Sequence, residues 1–251
     1  MPLPPAARGP AAPTREGRFA ARRRALPAIA ASLAAAPAAA PAQAGGEVDL
    51  LLALAVDASG SIDADEFRLQ REGYAAALSH PAVLDAVASK PLGAVAVAMV
   101  EWGSPGGAAT VLDWFRLSDA ASARRLAEAV LAAPRSPQGW NAIGDALDHC
   151  AAMMRSAPFR AEDKVIDLSG DGPDLRSFLP APRARDEAVA AGITVNALAV
   201  AAAGQVTRAG EPLAETYRRE VIGGPGAFVA TAEDRRDIAR ALRAKLVREI
   251  A

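Results

Sequence analysis

Two aspartates and two serines of this 251-residue chain have the types and spacing of ligands for a divalent cation. Asp57, Ser59 and Ser61 stand at alternate positions of the segment DASGS, directly after the apolar run LLLALAV. Asp171 stands in a second polar turn, SGDG at 169–172, which follows the short strand-like segment VIDL. Carboxylate and hydroxyl oxygens are the hard ligands that Mg²⁺ and Ca²⁺ prefer. Either turn alone is typical of an ordinary loop, so the hypothesis requires the fold to bring both turns together.

The order of the predicted elements brings them together. The fully apolar run at 50–56 predicts a strand buried on both faces of a parallel sheet. Further strands are predicted at 94–102, 110–117, 165–168, 193–200 and 227–230, with the third forming a hairpin with the second at one edge. Strands alternating with helices predict an α/β fold, a doubly wound, mostly parallel six-stranded sheet with helices on both faces. In the strand order 3-2-1-4-5-6, the first and fourth strands are neighbours, so their two terminal turns converge.

Helical patterns separate these strands, at 63–79, after Pro81, at 118–133, 141–155, 183–191, 211–221 and 231–250. Asp63 and Glu66 have the spacing of a capping box at the start of the first helix. Asn141 is a residue type that caps helix N-termini, and it stands where the fourth helix is predicted to begin. The last helix carries an apolar residue every four positions, at Ile238, Leu242, Leu246 and Ile250.

The first 44 residues have the composition of a targeting segment. They contain six Arg and one Glu, and the run of three arginines at 22–24 precedes an uncharged, Ala-rich stretch. Ala42-Gln43-Ala44 then offers a small-x-small cleavage site. The pattern predicts a signal peptide at 1–44, of general secretory or twin-arginine type, followed by one domain at 45–251. A bacterial protein of this kind is periplasmic or secreted; the alternative is a disordered Ala/Pro tail.

The composition of the remaining chain excludes several function classes. Residues 45–251 carry 22 Lys and Arg against 28 Asp and Glu, a net charge of −6 without a basic stripe, which argues against nucleic acid as a partner. No later segment is long and apolar enough for a membrane span, so no membrane insertion is expected after signal removal. Cys150 is the only cysteine and is predicted to be a core residue. His80 and His149 stand beside no plausible nucleophile, and the sequence predicts no enzyme.

Three loops carry a family resemblance: DASGS at 57–61, GWNAIGDAL at 139–147 and SGDG at 169–172. Together they resemble the metal-ion-dependent adhesion site of von Willebrand factor type A (vWA) domains. The likeness extends over residues 48–250 and is closest to an exported bacterial branch that carries a domain-of-unknown-function label. It implies that Ser59 and Ser61 bind the metal directly, while Asp57 and Asp171 act largely through waters. The implied cation is Mg²⁺, with Mn²⁺ or Ca²⁺ as alternatives.

The resemblance also implies a role in binding. In the family, the metal grips a protein ligand through a carboxylate, so the expected partner is a protein that offers an Asp or Glu side chain. Trp140 stands beside the second loop and is predicted to contact that partner. Trp102 and Glu101 end the second strand and are predicted to line the rim of the site, with a packed Trp as the alternative. Asp145, one helical turn beyond residue 141, is predicted to support it.

One position departs from the family pattern. Where the second loop usually holds Thr, this chain has Asn141. Its amide oxygen is also a neutral hard ligand, so metal binding is retained in one interpretation. In a second interpretation the site has decayed and the domain is a scaffold. A third hypothesis, metal-dependent hydrolysis or phosphotransfer, rests on Asp57 at the end of the first strand, although Ser59 stands where such an enzyme has a second carboxylate.

Overall fold

The computed structural model of the protein describes residues 45–233 and 237–251. The strands of this part are β1 Leu50–Asp57, β2 Val95–Trp102, β3 Ala109–Leu117, β4 Asp163–Gly170, β5 Thr194–Val200 and β6 Val229–Ala232. Its helices are α1 Ala64–Leu78, α2 Pro81–Ala88, α3 Ala120–Ala132, α4 Ile143–Arg155, α5 Ala181–Ala190, α6 Leu213–Glu220 and α7 Ile238–Ile250. The predicted signal peptide at 1–44 lies outside the described residues and stays a prediction.

The strands form one six-stranded sheet in the order β3-β2-β1-β4-β5-β6, which confirms the predicted order. Every neighbouring pair is parallel except β2 and β3, which are antiparallel and form the predicted hairpin at the edge. All eight residues of β1 are buried, as are all eight of β2. Both central strands are therefore covered on both faces, which explains why their sequences are apolar without alternation.

Helices cover both faces of the sheet and divide the core in two. On one face, the even-numbered residues of β1 pack with α1, α2, α3 and α7. On the other, the odd-numbered residues pack with α4, α5 and α6. The fold is therefore doubly wound. The carboxyl ends of β1 and β4 lie at its topological switch point, where the strand order reverses.

Local sequence signals explain several helix boundaries. Asp63 and Glu66 form the predicted capping box: each side chain accepts a hydrogen bond from the backbone of the other. The predicted apolar stripe of α7 is buried throughout. The same helix begins at Ile238 rather than at residue 231, because β6 occupies Val229–Ala232 and the chain must leave the sheet first. Cys150 is fully buried on α4, and burial raises the pKa of its thiol to about 12.

A cluster of charges is buried between the sheet and α7. The ammonium of Lys245 lies 2.5 Å from Oδ1 of Asp167 on β4 and 2.5 Å from Oε1 of Glu249. Asn196 on β5 donates a second hydrogen bond to Glu249, at 2.9 Å. Burial, with the charge of Asp167 as a second cause, raises the pKa of Glu249 to about 8. The carboxyl of Glu249 therefore keeps its proton at neutral pH, because two carboxylates would otherwise face a single ammonium in a medium of low polarity.

This proton makes stability depend on pH. The folded-state pKa of Glu249 lies above its unfolded value, so the stabilisation is complete below pH 4 and is lost as the pH rises towards 8. We expect the free energy of unfolding of the metal-free protein to fall by about 1.4 kcal/mol per pH unit more than that of Glu249→Gln between pH 5 and 8. Urea unfolding across this range measures both slopes. Gln keeps the acceptor oxygen without the titration, and equal slopes would contradict the assignment.

Candidate functional site

The parallel pairing of β1 and β4 brings the two predicted turns together. Val56 is paired with Ser169, so Asp57 and Asp171 follow at the same edge of the sheet. The carboxylate of Asp57 accepts a hydrogen bond from the backbone N–H of Ser59 at 2.8 Å and a long one from that of Asp171 at 3.4 Å. The side chain of Asp57 therefore joins the two turns directly.

The hydroxyls and the second carboxylate form a continuous row of oxygens. Oγ of Ser59 lies 3.1 Å from Oγ of Ser61, which donates a hydrogen bond to Oδ2 of Asp171 at 3.3 Å. Ser59 is buried, Asp171 is half-buried and Ser61 is exposed, so the row opens to solvent on one side. Adjacent ligands of an octahedral Mg²⁺ ion lie about 3 Å apart, because each is about 2.1 Å from the metal. The observed separations are close to that value.

The electrostatics of the row favour a cation. Asp57 is almost fully buried, and desolvation raises the pKa of its carboxyl to about 7, with the charge of Asp171 as the second cause. A positive ion beside both carboxylates would remove this repulsion. Within the described residues, no three His, Cys, Asp or Glu side chains are grouped closely enough to hold a metal together. The donor set is instead two carboxylates and two hydroxyls, which fits a hard cation rather than a soft one.

The second of the three loops, at 139–147, reaches the same place. The backbone N–H of Gly60 donates to the carbonyl of Gly139 at 3.2 Å, so the second loop contacts the first. The side-chain amide of Asn141 lies against Gly172, where an added Cβ would come within 2.4 Å of its Nδ2. A larger residue at 172 would have to displace this amide. The structure thus brings Asn141 to the turn that carries Asp171.

The predicted capping role of Asn141 is wrong. Helix α4 begins at Ile143, and no side chain of its N-cap residue, Ala142, bonds to the helix. Asp174 accepts a hydrogen bond from the N–H of Ile143 at 3.0 Å, and Ser177 accepts one from that of Gly144 at 2.8 Å. These caps come from a loop about thirty residues away, so no local pattern in the sequence indicates them. Asn141 is free of the capping role and keeps its side chain at the site.

Asp145 does support the site, through backbone groups. Its carboxylate accepts hydrogen bonds from the N–H groups of Gly106 at 2.8 Å, Phe178 at 3.1 Å and Leu179 at 3.0 Å. One side chain of α4 therefore ties down both the turn between β2 and β3 and the loop after β4. Its position at a helix start is also favourable for a negative charge.

The predictions that Glu101 and Trp102 line an exposed rim are wrong. Both side chains are completely buried. Glu101 forms an ion pair with Arg71 of α1 at 2.6 Å and accepts a hydrogen bond from the backbone N–H of Ser136 at 2.5 Å. Trp102 packs against Gly170, where an added Cβ would lie 2.9 Å from the indole ring. The two residues fix the second loop and the end of β4 from beneath, so neither is open to a partner.

Trp140 is the one predicted contact residue that the structure exposes. Its side chain is 55% accessible, and the guanidinium of Arg176 stacks over its ring at 4.5 Å. Arg176 belongs to the loop that follows the Asp171 turn. The indole is therefore supported from the neighbouring loop and stays about half exposed.

Comparison of the sequence with protein families places most of the chain in one of them. The profile of the family described as "Protein of unknown function (DUF1194)" matches residues 47–251. The comparison with curated proteins gave no significant match.

Solved structures share the fold at low sequence identity. A von Willebrand factor type A protein from Catenulispora acidiphila is 21% identical with a TM-score of 0.58, over 81% of this chain and 43% of that one. The pilus adhesin SpaC from Lactobacillus rhamnosus GG is 16% identical with a TM-score of 0.58, over 81% and 31%. Proximal thread matrix protein 1 from the mussel byssus, with a zinc-occupied MIDAS motif, is 18% identical with a TM-score of 0.53, over 79% and 46%. This chain thus has the vWA fold and spans less than half the length of each.

The buried ion pair beneath the site gives a prediction about stability. We expect Glu101→Ala to lower the free energy of unfolding by about 3–5 kcal/mol, because the guanidinium of Arg71 would stay buried without its counter-charge. Urea unfolding measures the loss. Replacing both partners with apolar residues, Arg71→Met with Glu101→Leu, should restore most of it. A loss below about 1 kcal/mol in the single variant would show that Arg71 finds another partner or reaches water.

Proposed function

The chain belongs to the DUF1194 family of proteins of unknown function, and we propose that it is an exported protein that binds a protein partner through a metal-ion-dependent adhesion site. The observation that carries the proposal is the row of oxygens from Ser59, Ser61 and Asp171, with separations of 3.1 and 3.3 Å between neighbours, beside the carboxylate of Asp57. Two turns 110 residues apart in sequence form this row. Its donors are neutral hydroxyls and carboxylates, the set that the vWA resemblance implies.

The residues divide into direct ligands and supports. Ser59 and Ser61 would hold the cation through their hydroxyls, and Asn141 through its amide oxygen. Asp57 and Asp171 would act largely through bound waters, since Asp57 already accepts hydrogen bonds from backbone N–H groups. Mg²⁺ suits such a site because it retains several waters and needs few carboxylates, while Mn²⁺ and Ca²⁺ are alternatives. The bound ion would supply a positive charge, at the open side of the row, for an Asp or Glu of the partner.

The chemistry around the row supports binding rather than catalysis. His80 accepts a hydrogen bond from Ala82 at the start of α2, and His149 contacts Thr110, so both are engaged elsewhere. The hydroxyl of Ser61 donates to Asp171, and neither serine is beside an imidazole in the described part of the chain. A hydrolase or phosphotransferase would need a base aligned with a nucleophile. We therefore propose no catalytic role for Asp57.

The location of the protein is proposed from its sequence. The arrangement of arginines, Ala-rich stretch and small-x-small site in residues 1–44 supports export, to the periplasm or beyond. No helix among the described residues is long and apolar enough to cross a membrane. One protein of similar fold is described as a pilus adhesin, which acts outside the cell in keeping with an exported binding domain.

Metal binding can be tested by thermal unfolding of the purified protein with and without Mg²⁺. A cation that binds only the folded state raises the unfolding temperature, by about 5–10 °C at about 100 times its dissociation constant. We expect Ser59→Ala to abolish this rise, because it removes one of the direct ligands. Ser156→Ala, at the far end of α4, removes an equally small hydroxyl and should keep the rise.

Asn141 stands where the family pattern has Thr, and the variant Asn141→Thr separates the two interpretations of this difference: retained metal binding and a decayed site. A rise in the native protein, with a similar or larger rise in Asn141→Thr, would support a working site that uses the amide oxygen. No rise in the native protein together with a rise in Asn141→Thr would mean that the site has decayed through this residue. No rise in either protein, with Mg²⁺, Mn²⁺ or Ca²⁺, would contradict the metal site itself.

A further inference from the structure

Exposed apolar side chains are concentrated beside the candidate metal site. Six large apolar side chains are exposed in the described part of the chain, and three of them lie on the two loops that meet at Asn141. They are Trp140, Leu175 and Phe178, exposed by 55%, 56% and 80%. We call these three residues the apolar rim. Apolar groups grouped on a protein surface mark sites of interaction, whereas the same residues scattered singly need no explanation.

Hydrogen bonds hold the loop of the rim in one conformation. The backbone N–H groups of Leu175 and Arg176 donate to the carbonyl of Asn141, at 2.8 and 3.2 Å. Asp174 accepts hydrogen bonds from the N–H of Ile143 at 3.0 Å and from that of Ala181 at 3.1 Å. The loop is thus fastened to the starts of two helices. A partner that binds such a loop loses little free energy in ordering it.

Phe178 shows most clearly that the rim does not serve the fold. Its N–H is fixed by Asp145, and its ring lies over the turn between β2 and β3, where a Cβ added at Gly106 would come within 3.1 Å of it. The ring is the most exposed large apolar side chain of the described residues.

A positive charge stands within the rim. The guanidinium of Arg176 stacks on Trp140, and it forms no ion pair with any acid of the described residues. A planar guanidinium on an aromatic ring keeps its N–H groups available for a carboxylate. Aromatic residues and Arg are also the types enriched where protein interfaces gain most of their affinity.

We propose that the apolar rim and Arg176 receive a protein segment in which an acidic residue is flanked by a large apolar side chain. This inference rests on the proposed function: the acid would meet the cation, and the apolar neighbour would cover Leu175 and Phe178. A second acid on the segment would reach Arg176. The site thus selects acidic segments by their apolar neighbours, in addition to the carboxylate that any partner of this kind provides.

Phage display tests the proposal. Random linear peptides are selected for binding to the purified protein in the presence of Mg²⁺. We expect the enriched peptides to carry Asp or Glu next to Phe, Trp, Leu or Ile, and to elute with EDTA. The double variant Leu175→Ser with Phe178→Ser should bind a selected synthetic peptide with about tenfold lower affinity. Arg176→Gln should lower the affinity for the same peptide by a smaller factor. Changing the Asp of the peptide to Asn should abolish binding.

Matched controls separate the rim from the metal site. Leu131 on α3 is 53% exposed, close to Leu175, so Leu131→Ser should leave peptide binding unchanged. The rim variants should keep the rise in unfolding temperature with Mg²⁺, which also shows that they fold. If none of Mg²⁺, Mn²⁺ and Ca²⁺ gives a rise in the native protein, the proposed function fails.

If the rise is present but the selected peptides lack acids, or bind the rim variants equally well, the rim proposal fails by itself. A selection that enriches no peptides in the presence of that rise contradicts it as well. Analytical ultracentrifugation tests whether a second copy of the chain covers the rim instead. A dimer of the native protein that the rim variants convert to monomer would assign the rim to a second copy of the chain and would also overturn the proposal.

Discussion

The parallel pairing of β1 with β4 is the constraint on which the site depends. These strands are far apart in sequence, and their register sets Val56 opposite Ser169, so that both chains leave the sheet side by side. Hydrogen bonding between strands is periodic, and a shift of one residue would turn every side chain of β1 to the opposite face. The two faces of β1 differ in the size of their side chains, with Leu52 and Leu54 on one and Ala53 and Ala55 on the other, so packing fixes the register. The register in turn fixes where Asp57 meets the Asp171 turn.

Acidic side chains at this edge serve two different purposes. Glu101, Asp145 and Asp174 each accept hydrogen bonds from backbone N–H groups of loops distant in sequence. They convert mobile connections into a fixed surface, and their negative charges are satisfied in doing so. Asp57 is different, because its burial beside Asp171 raises its pKa to about 7. A cation beside both carboxylates would relieve that unfavourable arrangement, and the hydrogen-bonded loops keep it from relaxing.

The sequence predicts the fold well where one physical signal dominates. Apolar runs without alternation identified β1 and β2 as buried strands, and the capping pair Asp63 and Glu66 identified the start of α1. The convergence of the two turns and the support from Asp145 were predicted, but the other supports were not. Strand period alone could not show that Glu101 faces Arg71 instead of solvent. The caps of α4 could not be found either, since Asp174 and Ser177 reach it across the fold. Lys245, in a helix of mixed charge, has a sequence context typical of a surface residue, and only the packing of α7 on β4 buries it.

Cys150 links the packing of α4 to the kinetics of the whole domain. Thiol reagents and peroxides react with the thiolate, which a pKa of about 12 keeps scarce, and the fully buried sulfur is closed to them in the folded state. Modification therefore requires α4 to separate from the sheet for a moment. Since the same helix carries Asp145, the labelling rate of this single sulfur reports how often the supports of the candidate site come apart.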